Sequence, residues 1–227
     1  MEGIWKARRH SALEFDRVDD YVEVPYSSSL NPDEFTVEGW ARVKGGKGTA
    51  RALVSSRDSP PASGYILYAA EADCWSFWIG SGSWVSVDGP QITLGKWYHV
   101  AATYKDEIAI LYVDTLSYGP KSITLSKNTQ RPLRVGAGYN ESFPMYFFDG
   151  SIASVRIYNR ALSEAEIKYL YYNPDDPLDT DHLVLWLHPG SIDTDAGYWW
   201  DISGRDNHGQ IFGATKVSLV SPEVTVL

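Results

Sequence analysis

The chain has 227 residues, a single cysteine (Cys74) and a formal net charge of −9, from 20 basic and 29 acidic residues. This charge argues against a nucleic-acid partner, because binding to phosphates requires a basic face. Membrane insertion is not expected either, because no window approaches the roughly 18 apolar residues of a spanning helix. The length suits one large all-β domain whose core needs no disulfide.

The first predicted strands lie in residues 11–25, SALEFDRVDDYVEVP. Leu13 and Phe15 alternate with small or polar neighbours, which is typical of a strand with one buried face. An acidic turn with Asp16, Asp19 and Asp20 follows, and a second strand begins directly after it. The pattern therefore predicts two strands joined by an acidic turn.

Residues 35–43 (FTVEGWARV) alternate in the same way and predict a central strand. We expect Trp40 of this strand to lie between two sheets. Further strands are predicted over residues 51–56, 65–69, 74–79, 84–87, 97–104, 108–113, 123–125, 133–135 and 151–158. Their number and spacing indicate an all-β protein.

One helix is predicted after residue 162. Ser163 is a favourable N-cap, and Glu166 stands at the reciprocal position of a capping box. Ile167 and Leu170 follow at helical spacing, and Pro174 ends the helix because proline disfavours helical geometry in the preceding residue.

Several motifs stand in the order found in laminin-G-like domains of the concanavalin A-like lectin superfamily. They are ALEFD (12–16), DDYV (19–22), WYHVAATY (97–104), LYVD (111–114), FDG (148–150) and VRIYNRALS (155–163). The chain resembles this family, although Arg17 replaces a usual glycine and Ala153–Ser154 replace a usual Asp-Glu. The resemblance implies an all-β fold, a concanavalin A-like β-sandwich (a jelly roll of two antiparallel sheets) with one short helix.

A segment that opens the domain in the family lies near the C-terminus of this chain. LVLWL (183–187) and DISGRDNHGQIFGA (201–214) resemble it, after a motif core (11–173) and an acidic linker (174–182). The segment 183–227 could complete the same sandwich by circular permutation, begin a second repeat, or exchange between subunits of a homo-oligomer. We favour one sandwich over residues 1–227, because an unpaired half-repeat would expose apolar strands.

The family resemblance also implies a structural calcium ion between the early acidic turn and a late strand. Calcium takes six to eight oxygen ligands, and the resemblance assigns it to Asp19 and Asp149 with neighbouring carbonyls. In the alternative interpretation, the turn aspartates bond to their own backbone and Arg17 neutralises them.

Sugar binding requires flat aromatic side chains beside amide or carboxylate groups. Trp78 and Trp84 are candidates on the predicted strands, with core packing as the alternative for each. Tyr139, Asn140 and Glu141 offer the same mixture in a loop.

The patterns of glycoside hydrolases and polysaccharide lyases of this fold are incomplete here. Glu71 and Asp73 begin an E-x-D-x-x-E spacing, but Ser76 replaces the third carboxylate, and Thr93 replaces histidine after Gln91-Ile92. We therefore expect a non-catalytic carbohydrate-binding or adhesion module whose partner is a polysaccharide or glycoprotein glycan. The alternatives are a structural subunit of a surface layer, virion or fibre, and an enzyme of the two classes named. The family implies an extracellular or surface location, although no signal peptide is visible.

Overall fold

The computed structural model describes residues 10–139, 141 and 143–219, and these form sixteen β-strands and one α-helix. The elements are β1 (His10–Asp16), β2 (Tyr21–Val24), β3 (Phe35–Val43), β4 (Arg51–Asp58), β5 (Ser63–Ala69), β6 (Cys74–Gly80), β7 (Trp84–Gln91), β8 (Trp97–Lys105), β9 (Ile108–Val113), β10 (Leu116–Ser122), β11 (Leu133–Val135), β12 (Asp149–Tyr158), α1 (Glu164–Tyr172), β13 (Leu183–Asp193), β14 (Tyr198–Asp201), β15 (Gly209–Phe212) and β16 (Thr215–Leu219).

The strands form one continuous antiparallel run that folds over into two layers. Its order is β10-β9-β8-β3-β12-β13-β14-β15-β2-β11-β4-β5-β6-β7, and β1 pairs with β12 and β16. We call β8–β10, β3, β12, β13, β1 and β16 the rear layer, and β15, β2, β11 and β4–β7 the front layer; β14 pairs with β13 and β15 and connects the two. The predicted all-β sandwich of the concanavalin A-like type, with one short helix, is confirmed.

The apolar core lies between the two layers. Phe35 of the rear layer packs on Tyr65 and Phe77 of the front layer, with ring centroids 4.6 and 6.2 Å apart. Trp75 and Trp199 are fully buried in the same cluster. Burial of such large aromatic side chains is a dominant stabilising contribution in a sandwich without disulfides.

The helix α1 begins and ends where the sequence predicts. The Ser163 hydroxyl accepts from the Glu166 backbone N–H, and the Glu166 carboxylate accepts from the Ser163 N–H at 2.7 Å. Ile167 and Leu170 are buried against the outer face of the rear layer. The helix therefore covers a surface that would otherwise face solvent.

The expected position of Trp40 between the sheets is wrong. Trp40 is buried on the opposite, outer face of β3, where its ring stacks on Tyr171 of α1 with centroids 5.5 Å apart. The alternation along β3 is regular, but α1 covers the outer face, so both faces of this strand carry buried side chains.

A network of fully buried charged groups joins the rear layer to the chain beyond α1. Glu38 of β3 contacts His99 of β8 (Oε2–Nε2, 2.6 Å) and Arg156 of β12 (Oε1–Nη1, 2.9 Å). Arg156 also donates to the Pro174 carbonyl and lies 4.6 Å from the ring of Trp186. Burial works to raise the pKa of Glu38, but Arg156 and His99 outweigh it and lower that pKa.

The C-terminal strands pair with both layers. Leu187 of β13 lies opposite Val155 of β12, and Ile211 of β15 lies opposite Val22 of β2. β16 pairs with β1. The assignment of all residues 1–227 to one domain stays a prediction.

We predict that Glu38→Gln lowers the free energy of unfolding by about 3–5 kcal/mol, because Arg156 would keep a buried charge without its partner. Chemical denaturation monitored by tryptophan fluorescence measures this. The matched control is Glu34→Gln, which removes an exposed pair with Lys105 and should cost less than about 1 kcal/mol. Equal effects of the two substitutions would contradict the prediction.

Candidate functional site

A groove of about 380 Å³ crosses the outer face of β4–β7 in the front layer. Trp75, Phe77 and Ile79 of β6 face the core, so Ser76 and Trp78 between them point outward. The groove is lined by outward side chains of all four strands and by residues of three adjoining loops, including Arg57, Tyr68, Glu71, Trp78, Trp84, Asp88 and Tyr146.

Two glycines stand opposite Arg57 and Trp84 in the strand register. Gly64 pairs with Arg57, and Gly80 pairs with Trp84. A Cβ on Gly64 would lie 1.9 Å from the Ser56 carbonyl oxygen, and one on Gly80 would lie 2.4 Å from backbone atoms of Ser63. A side chain at either position would therefore collide with the backbone of the neighbouring strand.

Arg57 lies among aromatic rings. Its guanidinium is 4.7 Å from the ring centroid of Trp84 and 5.4 Å from that of Tyr139. Its Nη1 also lies 3.5 Å from the Tyr68 hydroxyl. Cation–π contacts of this kind favour the charged guanidinium where water is limited.

Glu141 pairs with Arg57 through both carboxylate oxygens. Arg57 Nη2 donates to Oε1 at 2.6 Å and Nε donates to Oε2 at 3.2 Å, and the two side chains are only 8% and 7% exposed. Burial opposes the charge of Arg57, but Tyr68 and Glu141 more than offset this and raise the pKa of Arg57. The pair is held by two parallel hydrogen bonds, which fixes its orientation.

The aromatic wall of the groove consists of Trp78, Tyr68 and Tyr146. Tyr68 meets Trp78 and Tyr146 edge to face, at centroid distances of 6.0 and 5.9 Å. Burial raises the pKa of the Tyr68 hydroxyl, which therefore stays protonated. Edge-to-face packing fixes the ring planes, so the wall presents preformed apolar surface.

Two acidic side chains, Glu71 and Asp88, line the other side. Both are exposed, and Asp88 Oδ1 accepts from the Ser76 hydroxyl at 2.5 Å. The buried thiol of Cys74 also lines the groove, and burial, together with the charge of Asp88, raises its pKa. These carboxylates supply hydrogen-bond acceptors beside the aromatic wall.

A second group of polar side chains lies at the acidic turn between β1 and β2. Oxygen atoms of Asp16, Asp19 and Asp20 lie within 4.8 Å of one another. Asp16 accepts from the Val18 N–H at 2.8 Å, and Asp20 accepts from the Asp16 N–H at 2.9 Å. The turn therefore satisfies part of its own backbone while leaving carboxylate oxygens free.

Asp149 is not part of this group. It pairs with Asp16 in the β1–β12 register, but its carboxylate lies against Gly45, where an added Cβ would be 2.5 Å from Oδ2. The negative charge of Asp149 also acts on Arg51. The structure thus brings Asp19 together with Asp16 and Asp20, and not with Asp149.

Residues 16–168 match the concanavalin A-like lectin/glucanases superfamily, and this match covers more than half of the chain. The chain belongs to this superfamily. No curated protein matches the chain.

Solved structures of this superfamily fold share the architecture at low sequence identity. One is a putative carbohydrate-binding protein from Bacteroides ovatus, with a TM-score of 0.75 and 20% identity over 95% of this chain and 62% of that chain. Two others have TM-scores of 0.56 and 14% identity: the heptameric pentraxin of Limulus polyphemus (72% of this chain, 82% of that chain) and the CBM40 of a Ruminococcus gnavus sialidase bound to α2,3-sialyllactose (70% and 96%).

The chain thus spans less than two thirds of the length of the B. ovatus protein, and these likenesses establish the fold alone. In the described part of the chain, no helix combines the length and apolar character needed to cross a membrane.

Four of the residues predicted to bind sugar lie at or beside the groove. Trp78 and Trp84 line it, Tyr139 contacts Arg57, and Glu141 pairs with Arg57. Asn140 lies outside the described residues. Binding of sugar by this set stays a prediction.

Sequence reasoning missed other groups that line the groove: Arg57, Tyr68, Asp88 and Tyr146. Tyr68 and Asp88 could have been found, because each stands at an outward position of an alternating strand beside a predicted site strand. Arg57 gives no such signal, since its partners Trp84 and Glu141 lie far from it in the sequence.

We predict that Asp20→Asn raises the melting temperature by about 2 °C at pH 7 in EDTA. Burial, and then the charges of Asp16 and Asp19, raise the pKa of Asp20 above its ordinary value of 3.8, although the Asp16 N–H opposes them. The ionised form of Asp20 therefore destabilises the folded state. This destabilisation is absent below the pKa that Asp20 has in the unfolded state, and it develops as the pH rises through the pKa that Asp20 has in the folded state. The gain should vanish at about pH 3, and a gain that persists there would contradict this account.

Proposed function

We propose that this protein is a non-catalytic carbohydrate-binding module and that the groove on the front layer is its binding site. The observation that carries the proposal is the convergence of Trp78, Trp84 and Tyr146 with Glu71 and Asp88 in one cavity. Sugar rings present apolar C–H faces and a periphery of hydroxyls. A site for them combines flat aromatic surfaces with a few fixed polar groups.

The size and rigidity of the groove support this function. A volume of about 380 Å³ lies in the lower range of small-molecule sites, about 300–1,000 Å³. The ring planes of Tyr68 and Trp78 are fixed by their mutual packing, so little side-chain ordering accompanies binding. Glu71 and Asp88 are placed to accept hydrogen bonds from sugar hydroxyls.

Two solved structures of the same fold add support. One is described as a putative carbohydrate-binding protein, and the other is a sialidase CBM40 with a bound sialylated trisaccharide. By analogy, the partner is a polysaccharide or a glycoprotein glycan, and the protein acts outside the cell or at a surface, in binding or adhesion. Fold alone does not decide function, so the argument depends on the groove.

The non-catalytic assignment rests on the carboxylates. Asp73, the second carboxylate of the incomplete E-x-D-x-x-E pattern, pairs with Arg51 at 2.8 Å and accepts from the Gly48 N–H. Ser76 stands at the third position and donates to Asp88. Glycosidases need two available carboxylates flanking the scissile bond; of the three positions in this pattern only Glu71 is available, and the other exposed carboxylate of the groove, Asp88, is held by the Ser76 hydroxyl.

We predict that the protein is retained on at least one glycan of a polysaccharide panel. Trp78→Ala and Trp84→Ala should each weaken this binding at least about tenfold, because stacking of a sugar on an aromatic face contributes about 1.4 kcal/mol or more. Affinity electrophoresis measures the effect. Trp200→Ala is the matched control: Trp200 is half-buried and lies on β14, outside the groove, and its loss should leave binding unchanged.

Two outcomes would contradict the proposal. Absence of retention on every glycan would favour the structural-subunit alternative, which particle mass in solution then tests. New reducing ends released from a bound polysaccharide would instead establish a hydrolase.

We also propose calcium at the acidic turn. Carboxylate oxygens are the ligands that Ca²⁺ prefers, and Asp16, Asp19 and Asp20, whose oxygen atoms lie within 4.8 Å of one another, would supply three of them. The raised pKa of Asp20, caused first by burial and then by its acidic neighbours, is the electrostatic cost that a cation would relieve. Arg17, exposed at the same turn, is the alternative source of positive charge.

We predict that 5 mM CaCl₂ raises the melting temperature by about 5 °C, as expected for an ion near 100 times its dissociation constant. Asp19→Asn should abolish the rise, whereas Asp149→Asn should retain it. An unchanged melting temperature in calcium and in EDTA would rule out the ion. Loss of the rise in Asp149→Asn as well as in Asp19→Asn would instead favour the bridging site that the family resemblance implies.

A further inference from the structure

Among the described residues that line the groove, Arg57 is the only cationic one, and its charge is already matched. The two parallel hydrogen bonds to Glu141, of 2.6 and 3.2 Å, occupy the Nη2 and Nε edge of its guanidinium. This is the fork geometry with which arginine recognises a carboxylate. Glu141 therefore stands where the carboxylate of an acidic ligand would bind.

The Arg57–Glu141 pair is also enclosed by aromatic rings and largely shielded from solvent. The rings of Trp84 and Tyr139 lie within 5.4 Å of the guanidinium carbon, and both charged side chains are less than one tenth exposed. Charges so enclosed are weakly screened by salt. An incoming carboxylate would have to displace Glu141 from this enclosure and leave a buried charge unpaired, which is strongly unfavourable.

The remaining charges of the groove are negative. Glu71 and Asp88 are exposed at its other side, and the hydrogen bond that Asp88 accepts comes from the uncharged Ser76. With Arg57 neutralised by Glu141, the groove as a whole carries negative charge. A carboxylate or sulfate on a ligand meets repulsion there, while a hydroxyl meets two acceptors.

We propose that Glu141 sets the charge selectivity of the groove, so that it accepts uncharged glycans and excludes those that carry carboxylates, such as sialylated or uronic-acid glycans. This inference rests on the proposed function of the groove and names its substrate class. Glu141 acts through Arg57 by neutralising the one group that would recognise an acidic sugar.

The test compares matched pairs of probes that differ in charge: lactose with α2,3-sialyllactose, and a neutral galactan with polygalacturonate. At low ionic strength, we expect the wild-type protein to bind the acidic member of each pair about tenfold more weakly than the neutral member. Repulsion from Glu71 and from Asp88 each accounts for about threefold of this difference. This discrimination should shrink as salt is raised, because the two carboxylates are exposed.

Glu141→Gln is the decisive variant. Glutamine keeps an acceptor for Arg57 but removes the charge, so Arg57 becomes available to a ligand carboxylate. Binding of the acidic probe should rise about tenfold, as for a new charge-assisted pair, and binding of the neutral probe should change less than twofold. The matched control is Glu23→Gln, because Glu23 pairs with Arg134 on the same face of the front layer at 2.9 Å and should leave both affinities unchanged.

A second variant covers the case in which Glu141→Gln does not fold. The double substitution Glu71→Gln, Asp88→Asn removes the repulsion without touching the buried pair and should raise binding of the acidic probe about tenfold. If wild type and variants bind no probe and no other glycan, the proposed function itself fails. If wild type binds acidic and neutral members equally, or if Glu141→Gln leaves their ratio unchanged, this inference is overturned while the function stands.

Discussion

The buried carboxylate of Glu38 is the constraint on which the rest of the fold depends. A charge with no exposure must be matched by partners at short range, so β8 has to present His99 and β12 has to present Arg156 beside it. Arg156 lies opposite Glu38 in the β3–β12 register. A slip of one residue would break the pair and turn the core-facing side chains of β12 (Ile152, Val155 and Ile157) to the outer face. The network thus selects one register for the rear layer.

That register also determines where the functional surface can form. With Glu38 on the outer face, Phe35 and Val37 face the core, where Phe35 packs on Tyr65 of the front layer. Tyr68 and Trp78 then lie on the outer face of the front layer. Both layers carry a buried Arg–Glu pair outside the core. The pair in the rear layer is closed beneath α1 and its linker, whereas Arg57–Glu141 borders an open groove. Only the second is within reach of a ligand.

The sequence predicts the features that depend on local pattern. The alternation around Leu13 and Phe15 and the Ser163–Glu166 capping box correspond to β1 and the start of α1. Features that depend on packing between distant segments are not predictable in this way. Alternation does not indicate which face of β3 is interior, because α1 buries the other face as well. The predicted position of Trp40 is wrong for this reason. The Arg57–Glu141 pair joins residues 84 positions apart, and nothing local to either residue indicates it.

The groups left free in the groove define the recognition chemistry that this fold can offer. Asp73 pairs with Arg51 and accepts a hydrogen bond from the Gly48 backbone, and Arg57 pairs with Glu141. These charged side chains therefore position loops. A ligand meets what remains: the aromatic faces of Trp78 and Trp84 and the two exposed carboxylates. Stacking and hydrogen bonding to sugar hydroxyls create no new charge. Acid–base catalysis develops charge in the transition state, and the site must stabilise that charge. The same pairing that fixes the loops therefore favours binding over chemistry at this site.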